Sequence, residues 1–272
     1  MTPWKPNSFS DLVYLAHSAT PLPLEPSSLP DLVRLLLSAL QMNMVVDEAL
    51  FLLIKTLNNE NLNISPELAT SLITVFTALA STHLDPTIRQ LNLRLLSLTL
   101  SKLPSPIRLD TLLKLTTDED FPQMRGPAVG LVKEAVLEAL ALPPDQASGN
   151  PFASSELLHI FGGVLFRPNP PEFFREQKTR EELAQSLELL RIADCLSFYY
   201  VLLQRDRENR VCLVARWSAF FFCILRYTPK DGSKVPRERH KCTRFDSSTS
   251  ATIFRSTYRR RRCVTCIWLY MA

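Results

Sequence analysis

Through the first 210 positions, apolar residues recur at helical spacing, and no stretch couples strand-like alternation to turn chemistry. Residues 85–103 decide between the two readings. LNLRLLSLTL alternates like a strand, but Leu95-Leu96 breaks the alternation. The segment also far outruns the usual strand of about 5–6 residues. In helical phase Ile88, Leu91, Leu95 and Leu98 make one stripe, and Leu93, Leu96, Leu100 and Leu103 make a second. Gln90, Arg94, Ser97 and Ser101 leave a narrow polar face. A helix apolar around most of its circumference needs neighbours on more than one side, as inner members of a stacked array have. The same reasoning predicts helices over 10–18, 31–42, 45–57, 66–81, 108–115, 127–142 and 154–161. A last long helix runs from Thr179 to about Arg205, with a break near Arg191. It opens on the capping box Thr179-Arg-Glu-Glu182.

Punctuation between these segments is regular. Ser65-Pro66, Asp85-Pro86 and Ser105-Pro106 recur every twenty residues. Ser and Asp accept hydrogen bonds from the free N–H groups of a first turn, and proline tolerates the next position because its N–H would be unpaired there anyway. Starts twenty apart imply helical hairpins of about forty residues, near the period of HEAT and armadillo arrays. The expected fold class is therefore all-α, a HEAT/armadillo-like α-solenoid. Proline-rich linkers are expected at 21–30 and 142–151.

Charge changes the picture at one place. Residues 1–210 hold 18 Lys and Arg against 24 Asp and Glu, a net of −6. Residues 211–272 hold 13 against 3, a net of +10. Cys195 alone precedes residue 211, while Cys212, Cys223, Cys242, Cys263 and Cys266 follow it. One thiol in so long a stretch points to a reducing compartment. No basic and apolar leader opens the chain, and its most apolar run, 217–225, is about half the roughly 20 residues a membrane helix needs. The expectation is a soluble array over 1–210, located in the cytoplasm with the nucleus as a second site. An unrelated, disordered basic tail is expected over 211–272.

Candidate chemistry is sparse. The four histidines are scattered, there is no H-E-x-x-H, G-x-S-x-G or phosphate-cradling glycine motif, and the chain has only 6 glycines. Neither catalytic residues nor a cofactor are expected. Cys195, on the apolar stretch ADCLSFYYVLL, reads as a buried small hydrophobe, since a reactive thiol needs exposure and nearby positive charge. Asp118-Glu119-Asp120 reads as a solvated loop, with a basic partner as the sharper alternative. In the tail, His240, Cys242, Cys263 and Cys266 form the only zinc set, and their H-x-C pair is too tight for the common spacing. Arg259–Arg262 would attract phosphate. A nucleic-acid- or zinc-binding protein working through this tail is the alternative function.

Two segments carry a resemblance. VLFRPNPPEFF (164–174) is barred from helix by Pro168, Pro170 and Pro171, and reads as an extended crossover or, more sharply, a partner-binding segment. ADCLSFYYVLLQRDRENR follows at 193–210. Together they resemble fungal members of the glomulin/Yap-binding protein family, through Leu165, Phe166, Arg167, Pro168, Asn169, Pro170, Pro171 and Phe173, then Cys195, Leu196, Tyr199, Tyr200, Val201, Leu202, Leu203, Gln204, Arg205, Asp206 and Asn209. The resemblance implies a HEAT-like array without catalytic activity, acting as an adaptor. Its implied partners are the RING subunit of cullin-based ubiquitin ligases, or a Yap-type bZIP transcription factor responding to peroxide. The resemblance stops at Arg210, and Val211-Cys212 can be encoded by GTATGT, the form of a fungal intron donor. Residues 211–272 are therefore expected to be translated intron or out-of-frame sequence.

Overall fold

A computed structural model describes residues 6–18, 29–59, 62, 64–174 and 178–211. Among them lie eleven α-helices and no strand: α1 (Phe9–His17), α2 (Leu29–Gln41), α3 (Val46–Leu57), α4 (Pro66–Thr82), α5 (Pro86–Ser101), α6 (Ser105–Thr117), α7 (Arg125–Ala141), α8 (Pro144–Ala147), α9 (Glu156–Leu165), α10 (Arg180–Ala184) and α11 (Leu187–Arg205). Two 3-10 turns, Pro122–Met124 and Pro151–Ala153, complete the described elements. The described residues are all-helical, as the hydrophobic pattern predicts.

Start signals account for most of the boundaries. Ser65 accepts from the Leu68 N–H at 3.3 Å and Asp85 from the Thr87 N–H at 2.7 Å, each with proline following. The third expected cap differs. Pro104 is the N-cap of α6, Ser105 is already helical, and no side chain closes that end. Proline's fixed φ sets the entry angle by itself, so the helix begins one residue earlier than the Ser-Pro pair implies. The starts Val46, Pro66, Pro86, Ser105 and Arg125 extend the spacing of about twenty residues on both sides of the three expected.

Packing joins these helices in order. α3 packs on α5, α5 on α7 and α7 on α11, while α2 contacts α4 and α6 contacts α9; α2–α3, α4–α5 and α6–α7 pair as hairpins. α7 and α11 run in the same direction. Gly126 near the start of α7 lies by Asp194, and Leu142 just past its end by Arg210. α5 meets α3, α4 and α7, the several neighbours its apolar circumference requires. Its buried face is Asn92, Leu95, Leu96, Thr99 and Leu100, so two polar residues fall between the expected leucine stripes. Their donors are answered by their own helix: the Asn92 amide N–H donates to the Ile88 carbonyl and the Thr99 hydroxyl to the Leu95 carbonyl, both at 2.8 Å.

Three further expectations are corrected. The 142–151 segment is not a plain linker, since it contains α8 and leads into Phe152, which is 1 % exposed. Asn150 caps the short turn that drives this ring inward, and the Arg108 guanidinium lies 5.8 Å from the ring centroid. The helix expected at 154–161 runs on to Leu165, because Leu165 and Phe161 are buried on one face. The break expected near Arg191 falls instead at Gln185–Ser186, where the Ser186 hydroxyl accepts from the Leu189 N–H and starts α11 afresh.

Candidate functional site

Arg191 sits well inside α11, only 4 % exposed, and organises the region of the two sequence segments. Its guanidinium forks onto Glu188, one turn earlier, with Nε to Oε2 at 2.7 Å and Nη2 to Oε1 at 2.6 Å. The remaining donors cross to the chain that leaves α9. They reach the carbonyls of Val164 at 3.1 Å, Leu165 at 3.0 Å and Arg167 at 2.8 Å. Val164 and Leu165 belong to the last turn of α9, whose carbonyls have no partner within the helix, so Arg191 closes that end from outside. Glu188 adds a fourth tie to this chain by accepting the Asn169 N–H at 2.7 Å. Burial pulls the Arg191 pKa down, but the Glu188 hydrogen bonds, together with electrostatic attraction to Cys195 and Glu188, more than offset it and hold the group charged.

The strap so fixed covers 166–174. Phe166 is buried edge-on against Tyr199, with centroids 5.8 Å apart. Phe173 is buried as well and meets Phe174 edge-on at 5.2 Å, with the Lys178 ammonium 5.3 Å from its centroid. Between these anchors Arg167, Asn169, Pro170 and Pro171 are exposed and Pro168 is half-buried. Residues 171–174 are turn, so the crossover is folded rather than extended. The backbone is tied down while most side chains face solvent.

The second segment divides by role. Cys195 and Leu202 are buried beneath α11, and Arg191 approaches the Cys195 sulfur at 3.6 Å. Burial, only partly opposed by Arg191, pushes this thiol up to about 12, which fits the reading as a small hydrophobe. Tyr200, Leu203, Gln204 and Arg205 are exposed; Gln204 donates to the Tyr200 hydroxyl at 2.6 Å. Asp206 builds the turn after α11 by accepting the Arg210 N–H at 2.8 Å and the Val211 N–H at 2.9 Å. Arg210 in turn reaches the Leu142 carbonyl beyond α7 at 3.4 Å. The fold therefore brings 164–169 together with 188–199, while Gln204 and Arg205 stand apart from the strap.

Sequence reasoning missed Glu188 and placed Arg191 at a helix break. The one available signal was their i, i+3 spacing on an otherwise apolar helix. The described residues contain no group of three or more His, Cys, Asp or Glu able to hold a metal. His240, Cys242, Cys263, Cys266 and Arg259–Arg262 lie outside the described residues. Hollows of about 190 Å³ beside Gly126, Gly130 and Asp194, and of about 160 Å³ beside Arg125, Asn169 and Arg191, are below the roughly 300–1,000 Å³ of ligand pockets. No described helix is long and apolar enough to cross a membrane.

Among the described residues, this polar cluster fixes a surface strap between two helices. Residues 9–218 match a family described as "Uncharacterised protein family, YAP/Alf4/glomulin". The chain belongs to that family. The match takes in every described helix and runs eight residues beyond Arg210, where the motif resemblance stops. Searches of curated proteins and of solved structures returned no match.

Proposed function

We propose that this chain is a non-catalytic adaptor, its helices stacked as a HEAT-like repeat array that works by surface contact with a protein partner. The family match over residues 9–218 carries the reading. Helix starts about twenty residues apart and the ordered packing of α3, α5, α7 and α11 support the stacking. The exposed strap residues Arg167, Asn169, Pro170 and Pro171, held on a rigid frame, support a role in contact. By resemblance the partner is a cullin–RING ligase component or a Yap-type bZIP redox regulator, met in the cytoplasm or the nucleus without any cofactor.

Affinity purification of the tagged chain from its source cell, followed by mass spectrometry, tests this. A cullin–RING subunit or a bZIP redox factor should be recovered in stoichiometric amount, and recovery of neither counts against the adaptor reading. Metal analysis and a DNA-binding titration over salt address the alternative. Stoichiometric zinc, or affinity falling steeply with salt, would move the function to the basic tail.

A further inference from the structure

We draw no further inference here: the strongest candidate, the apolar face that Leu187, Leu190, Tyr200 and Leu203 leave exposed on α11, carries nothing because no observation in the structure shows what covers it.

Discussion

Arg191 and Cys195 lie one helical turn apart, both almost wholly buried, and burial has opposite consequences for them. A buried cation is tolerable only when every donor is answered, and Arg191 is answered by Glu188 and three carbonyls. Arg191→Met leaves Glu188, with a side chain 10 % exposed, as an uncompensated buried anion. The expected loss is about 3–5 kcal/mol in urea unfolding. Arg191→Lys keeps the charge but cannot fork to both oxygens and the carbonyls, so it should recover only part of that loss. A double replacement with Glu188→Met should cost clearly less than the sum of the single changes. For Cys195, desolvation disfavours the thiolate. Alkylation of the native chain by iodoacetamide, followed peptide by peptide, should leave Cys195 unmodified at pH 9, where an ordinary thiol reacts readily. The linkage has a definite sign. A group whose pKa rises on folding stabilises below its unfolded value, so Cys195 favours the fold up to about pH 9 and loses that contribution as pH climbs to about 12. Rapid labelling at neutral pH would show that α11 opens.

Caps separate what a sequence announces from what a helix uses. Asp85 and Ser105 each stand before a proline, but only Asp85 accepts a first-turn N–H. Asp85→Ala should lower stability by about 1 kcal/mol, while Ser105→Ala should leave the melting temperature nearly unchanged. The reverse case is Val45, which caps α3 from the left-handed region, at φ 45, with no side-chain hydrogen bond. A β-branched residue is strained there, and asparagine both tolerates the conformation and caps well. Val45→Asn should therefore raise the melting temperature, by the equivalent of about 1 kcal/mol. The helices themselves were legible because their amphipathic phase is local. Phe152 was not, because a proline-rich stretch gives no sign that one ring in it is core. Arg191 was misread for a related reason: its acceptors are backbone oxygens 24 to 27 positions earlier, and carbonyls leave no mark in a residue pattern. Asn92 and Thr99 were passed over because polar residues that bond to their own helix can be buried without any partner elsewhere. The strap's motif residues were found by resemblance; the clamp beneath them needed three-dimensional contact to become visible.

At the scale of the whole molecule, the row of packed helices leaves α11 with α7 on one side and apolar side chains toward solvent. Leu187 and Leu190 are more than half exposed, and Tyr200 and Leu203 more than a third. Contiguous exposed apolar surface promotes association. Leu190→Glu combined with Leu203→Lys should slow the growth of light scattering on concentration, with the urea midpoint nearly unchanged because neither side chain is in the core. Unaltered scattering would place the source of association elsewhere. The closure of α9 by Arg191 has a different consequence, one of timing. The final turn of α9 is complete only once a residue 26 positions further along has been synthesised and docked. Until α11 is in place, that turn is free to fray and the strap has nothing to hold it. The stretch from α9 to α11 thus matures as one late unit of the nascent chain: the presented loop and its support arrive together or not at all.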